Sequence, residues 1–375
     1  MTTIDEHAAS FGEEPGYLDF ASVGPPGRGV KDEDYAQFGL LGRARFGTIG
    51  SLLEQDARVR EAVASVSGFR ADQVVFQPNT SMGLMHAMFG LTGGVALSAA
   101  EFPSMTFAAS RASEALGVVN PIWIEPDHGR VTPGTLRAQL TPAVAAVAIS
   151  LVDFRTGFLA DLEGIRQVIG DRLLIVDAMQ GFGVVDAPFE VVDVLISGGQ
   201  KWVRAGWGTG FMAMSDRAAD ALTPVFSGFT ASESGEDLPM DQVLQPMAGV
   251  GAFQVSHADA VAQSRLAVAL EEIAAVGVPA INEALAERVT RIIDLADEYA
   301  IPVSSPRDLA ERAGIVVLDP PADQLTVLTA SLYNHGVSTT TRQGKVRLSP
   351  HVSTDEETFD MLRASFLSYA SAIQV

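Results

Sequence analysis

Between residues 74 and 214 the sequence alternates short, unbroken apolar runs with stretches of helical spacing. The runs are Val74-Val75-Phe76, Gly94-Val95-Ala96-Leu97, Val144 to Leu151, Arg172 to Val176, Val194-Leu195-Ile196 and Phe211-Met212-Ala213-Met214. A strand with one wet face alternates apolar and polar residues; these runs do not, so both of their faces must be covered. Parallel neighbours are joined by crossover helices, and those helices supply the cover. The pattern therefore predicts an α/β fold with a mainly parallel sheet between two helical layers.

Outside this region the spacing is helical over residues 52–67, where Leu53, Ala57, Val59 and Val63 share a face and Gly68 follows as a stop signal. Residues 258–300 are strongly helical, with Leu285, Val289, Ile292, Ile293 and Ala296 on one side of the last stretch. Ile315 to Leu318, a helix from Leu325 to His335, and Val346-Arg347-Leu348 predict a small α+β unit. The expected organisation is an N-terminal polar arm over 1–15, a large domain over 16–277 and a small C-terminal domain over 278–375.

Composition narrows the function classes. Hydrophobic residues make up 47% of the 375 and charged residues 19%, enough apolar material to offset ordering entropy. Lys plus Arg is 25 against 46 for Asp plus Glu, a formal net charge of −21. Such a surface repels nucleic-acid backbones and anionic membranes. There is no cysteine, which removes disulfides, thiolate metal sites and cysteine nucleophiles together. No metal-ligand cluster, Walker A, HExxH or GxSxG pattern occurs, and Gly206-Trp207-Gly208-Thr209-Gly210 precedes a strand instead of following one. The N-terminus lacks the apolar core of a secretory signal, so the expected location is cytoplasmic and the expected partner a small molecule.

The chemistry concentrates between Leu173 and Met214. One apolar run ends in Asp177-Ala178-Met179-Gln180; the next leads through Ser197-Gly198-Gly199 into Gln200-Lys201-Trp202. In open α/β sheets, ligands sit at the carboxyl ends of strands, and that is where both Asp177 and Lys201 fall. Either residue alone reads as an ordinary loop cap or solvated charge. Together they suit pyridoxal 5′-phosphate, which needs a lysine amine for its aldehyde and an anion beside its pyridine nitrogen.

Asp177 to Gln180, then Gln200-Lys201-Trp202 and Gly208-Thr209-Gly210-Phe211, resemble the fold-type I pyridoxal-phosphate enzymes, and among them the class V aminotransferase family. The motifs are most similar to kynureninase and isopenicillin N epimerase-like members. The resemblance implies the aspartate-aminotransferase-like fold, a pyridoxal 5′-phosphate cofactor and a homodimer. It further implies that Lys201 is the Schiff-base lysine and Asp177 the partner of the pyridine nitrogen. Gln180 matches a residue contacting the ring hydroxyl, and Gln200 and Ser197 match phosphate-side positions.

Thr80 and Ser81, read alone as a helix cap, match the family's phosphate loop. Phe102 matches the residue stacked over the ring, where desulfurases carry a histidine. Asp153 stands where many members place an asparagine near the ring. His257 stands where a Gly-Thr pair often reaches the neighbouring subunit's phosphate, and a structural role is open to it too. Arg347, in Lys345-Val346-Arg347-Leu348-Ser349-Pro350-His351, matches the arginine that holds the substrate carboxylate.

These residues serve several reactions of one cofactor. The expectation is an aminotransferase acting on a small amino acid or amine. The alternatives are a carbon–sulfur or carbon–carbon lyase of kynureninase type and an isopenicillin N epimerase-like enzyme. A pyridoxal-phosphate fold without catalysis, acting as a binding subunit, is the reading from another class. The missing cysteine closes the desulfurase persulfide route.

Overall fold

The computed structural model describes residues 2–233 and 240–373. Seven strands form the main sheet: β1 (Val74–Phe76), β2 (Gly93–Ser98), β3 (Val119–Ile124), β4 (Val144–Ser150), β5 (Leu173–Asp177), β6 (Val194–Gly198) and β7 (Gly210–Met214). Their order is β1-β7-β6-β5-β4-β2-β3. Strands β2 to β6 pair in parallel, while β7 is antiparallel to both β6 and β1.

Each central strand feeds two cores at once, which is why its sequence does not alternate. Val147, Ile149, Leu174, Val176, Leu195, Phe211 and Ala213 face one core. Ala146, Ala148, Ile175, Val194, Ile196, Met212 and Met214 face the other. Helices Gln55–Ser67, Leu162–Ile169 and Ala260–Val276 cover the first face; helices Thr80–Gly90 and Pro103–Leu116 cover the second. Strand β3 escapes the sequence pattern because Pro121 interrupts it. A proline lacks the N–H that a ladder needs on both sides, and β3 lies at the sheet's edge, where one side is unpaired.

The long helical region breaks at Gly277, whose φ of 92° ends one helix before Val278–Glu298 begins. Beyond it, β8 (Val316–Leu318), β9 (Thr340–Arg342) and β10 (Lys345–Leu348) form an antiparallel sheet in the order β8-β10-β9. A third core joins this sheet to helices Val278–Glu298, Leu325–Asn334 and Glu356–Ile373. The N-terminal strand-like segment reaches the same core. Leu18 is fully buried in it, the Leu18 amide donates to the Ser338 carbonyl, and the Ser349 amide donates back to Leu18. Leu18 thus packs with the C-terminal unit, while its neighbours Tyr17 and Phe20 pack in the first core of the main sheet.

The residues before them are also anchored. The short helix Ile4–Ala8 carries a Thr3–Glu6 capping box. Glu13 pairs with Arg204, a residue only 1% exposed, whose guanidinium stacks 3.7 Å from the Phe11 ring and donates to the Pro25 carbonyl at 2.6 Å. Arg204 ties this N-terminal segment to the turn that carries Lys201. No helix among the described residues is long and apolar enough to cross a membrane.

Candidate active site

The carboxyl ends of β4, β5 and β6 open into a cavity of about 390 Å³. Lys201 lies three residues past the end of β6, in a turn pinned by backbone contacts. Gly199 donates to the Thr209 carbonyl, and Gly24 donates to the Gln200 carbonyl at 2.9 Å. The approach at Gly24 is close: a Cβ there would stand 1.9 Å from the Lys201 carbonyl oxygen. Burial holds the Lys201 ammonium down to about 8 against the opposing pull of Asp177, and the Arg347 and Arg342 guanidinium groups add to the depression. The Lys201 Nζ sits 5.5 Å from the centre of the Phe102 ring.

Asp177 is the last residue of β5 and is buried. Burial pushes its carboxyl up to about 6, against the Met179 N–H, which donates to Oδ1 at 2.9 Å, and the charge of Lys201. A carboxylate this enclosed, with one backbone donor, needs a further cationic N–H partner to stay ionised. A protonated pyridine nitrogen is such a partner. Gln180 donates through Nε2 to the Ala21 carbonyl and accepts the Trp202 indole N–H at 2.8 Å. These two bonds fix its amide orientation and leave one N–H over.

The helix Thr80–Gly90 points its N-terminus at the same cavity. Asn79 caps it by accepting from the Met82 N–H, so the N–H groups of the first turn and the Thr80 and Ser81 hydroxyls are grouped at one place. Among the described residues, Thr80 Oγ1 donates only to the Met179 thioether, at 3.1 Å, a weak acceptor that a phosphate oxygen would outcompete. Gly198 leaves the room beside it: a Cβ would meet the Thr80 hydroxyl at 2.9 Å. The residues present therefore fit pyridoxal 5′-phosphate: the helix end with Thr80 and Ser81 would hold its phosphate, and Phe102 and Asp177 would meet its ring.

Thr80, Ser81, Phe102, Asp177, Gln180, Gln200, Lys201 and Arg347 all line this cavity. Arg347, on β10, is 5% exposed, donates to Ser22 Oγ at 2.7 Å and to the Phe154 carbonyl at 3.2 Å, and lies 3.4 Å from Asp19. Its Nε has no partner among the described residues.

Three of the residues singled out in sequence lie elsewhere. Asp153 closes its own turn, accepting from the Arg155 and Thr156 N–H groups and pairing with the Arg155 guanidinium at 2.5 Å. Its neighbours Val152 and Phe154 line the cavity instead. Ser197 is buried within β6, with its Oγ 3.4 Å from the Gly198 carbonyl. His257 lines a separate cavity of about 480 Å³ and packs edge-on against Phe229.

The structure adds residues that the sequence reading passed over. Ser22 and Arg342 line the site beside Arg347, and Trp207, 65% exposed, stands at its rim. Glu101 accepts from Ser150 Oγ at 2.5 Å and from the Ser150 N–H. Its carboxyl is pushed up to about 7 by burial, with Asp153 and Asp177 adding to the effect. Ser150 in turn is the register partner of Asp177 and lines the cavity.

Residues 48–375 match a sequence-family model described as Aminotransferase class-V. No curated protein matches the chain. Among solved structures, it resembles the apo cysteine desulfurase of Thermococcus onnurineus NA1 with a TM-score of 0.82 at 20% identity, covering 93% of each chain. The cystine C–S lyase C-DES, in complex with its product cysteine persulfide, gives a TM-score of 0.82 at 18% identity over 94% of this chain and 97% of that one. The cysteine desulfurase CsdA of Escherichia coli gives 0.82 at 16% identity over 100% and 99%. At these identities the likeness is one of fold.

Proposed function

The chain belongs to the aminotransferase class-V family, a family of pyridoxal 5′-phosphate enzymes, and from that premise we propose that it transfers the amino group of a small amino acid. When bound, pyridoxal 5′-phosphate supplies an aldehyde to capture an amine and a cationic ring to draw electrons from the substrate. The Thr80–Gly90 helix end, Thr80 and Ser81 bind the phosphate. Phe102 covers one ring face and excludes water from it. Asp177 holds the proton on the pyridine nitrogen, and Gln180 directs its remaining N–H to the ring hydroxyl. Arg347 takes the substrate carboxylate. Lys201 Nζ, whose proton burial makes easier to lose, takes the proton from the substrate α-carbon.

The observation that carries this reading is Lys201 Nζ, near Asp177 and 5.5 Å from the Phe102 ring, in a cavity that among the described residues is lined by no histidine and no other lysine. A proton that leaves and returns by one group on one face suits a 1,3-shift, which is transamination. Expulsion of a β-substituent would call for a second donor near the leaving group. A second reading, carbon–sulfur lysis, draws support from the similarity to C-DES.

The test is purified protein given pyridoxal phosphate, an amino acid panel and 2-oxoglutarate. A visible absorbance band that Lys201→Ala abolishes, with nitrogen appearing in a new amino acid, supports the proposal. Ammonia and a keto acid released without any acceptor would replace it with the lyase. A colourless protein would remove the enzyme reading. We also propose a homodimer, for which the exposed Tyr35, Phe38, Phe46 and Ile49 offer an apolar surface.

A further inference from the structure

Beside the Lys201 cavity lies another of about 540 Å³, and the two share Phe154, Arg342 and Arg347. Its wall carries four basic side chains, Arg155, Arg342, Lys345 and Arg347, and no acidic one. In a chain with 25 basic residues against 46 acidic ones, that lining runs opposite to the whole.

Three of the four cations have carboxylates of their own: Arg155 has Asp153, Lys345 has Asp319 at 2.7 Å, and Arg347 has Asp19 at 3.4 Å. Arg342 is exposed and makes no ion pair among the described residues. It is held at the site by the β9–β10 hairpin. That hairpin turns through Gln343 and Gly344, whose φ values of 49° and 80° are those of a two-residue type I′ turn. The turn sets Arg342 directly across from Lys345; Asp319 neutralises Lys345, so Arg342 is the cation of the pair whose charge is left for a ligand. Arg342 and Arg347 also both act on the Lys201 ammonium, so both lie within electrostatic reach of the reacting amine.

We propose that this annex receives a second carboxylate of the substrate. The preferred substrate is then an amino acid with an acidic side chain, its α-carboxylate on Arg347 and its distal carboxylate on Arg342. The proposal rests on the pyridoxal-phosphate reading above and adds the substrate class. Arg342 acts as a specificity residue: it selects the ligand's far end and takes no part in proton transfer.

The experiment is equilibrium binding to the cofactor-loaded protein, read by the shift in cofactor absorbance and independently by calorimetry. The probes are L-2-aminoadipate and L-glutamate against the uncharged L-norleucine. Loss of one charge-assisted hydrogen bond changes affinity by about tenfold or more. The acidic amino acids are expected to bind at least about tenfold more tightly than norleucine at low salt. That preference is expected to fall by about tenfold in Arg342→Gln, to survive in Arg342→Lys and to shrink as salt is raised. Equal affinities in the parent protein, or a preference unchanged in Arg342→Gln, overturn the proposal and leave the cofactor assignment standing. A protein that takes up no pyridoxal phosphate overturns both, and the absent absorbance band tells the two failures apart.

Discussion

Lys201 and Asp177 illustrate how burial sets chemistry at the scale of single residues. The amine is held down to about 8 and the acid pushed up to about 6, so each is easier to neutralise than in water. Because the neutral amine is the reactive form, the rate of cofactor uptake is expected to climb as pH rises through about 8, as followed by stopped-flow absorbance. Asp177→Asn keeps the shape and removes the charge. It is expected to lower turnover by about 10²–10³-fold while cofactor still binds, the size of loss typical for a preorganised electrostatic partner. Asp177 and Lys201 were legible in sequence because each follows a buried strand. Asp153 was not, because nothing in a linear motif tells whether a carboxylate enters a cavity or folds back on its own turn, as Asp153 does onto Arg155 and Thr156. Ser22, Glu101 and Arg342 stayed hidden for a related reason: their roles depend on partners far away in sequence.

At the scale of elements, the site depends on backbone segments meeting without side chains between them. Gly24 is the sharpest case, since its missing Cβ admits the Lys201 carbonyl. Gly24→Ala must displace one of the two segments. It is expected to cost about 1–3 kcal/mol in denaturant unfolding, as overpacking does, and to slow cofactor uptake by moving the Lys201 turn. Intact stability with normal uptake would show that the turn gives way freely. Strand type and order of appearance were readable where both faces are buried, as in β4, β5 and β6. The edge strand β3 was not, because Pro121 removes the very signal that marks a strand. The β9–β10 hairpin was not read either: strand β9 is three residues long and has no buried residue to mark it, so its contribution to the site needed the fold.

Over the whole molecule, buried acids at the site set against each other make the cofactor-free protein sensitive to pH. Glu101 titrates near 7 when folded and near its ordinary 4.5 when unfolded. The folded state therefore keeps a proton that the unfolded chain has released, and this contribution to stability is lost as pH rises from about 4.5 through about 7. Glu101→Gln cannot titrate, so its unfolding free energy is expected to fall less than that of the parent across that window. Parallel curves for the two proteins would show that Glu101 is ordinary in solution. The second, three-stranded sheet was foreshadowed in the sequence by a change from strand–helix alternation to a short α+β pattern. The membership of Leu18 was not, since pairing across the length of a chain leaves no local trace.

That pairing has a consequence for how the protein is made. Leu18 and Ser349 are 331 positions apart, yet they share hydrogen bonds in one core. During synthesis Leu18 therefore emerges 331 residues before Ser349. All seven strands of the main sheet have been made by Met214, before Ser349. Arg347, which reaches Ser22 across that junction, can take its place only once β10 has been made. A chain that stops before β10 has the sheet and Lys201 but lacks the Arg347 side chain that lines the cavity.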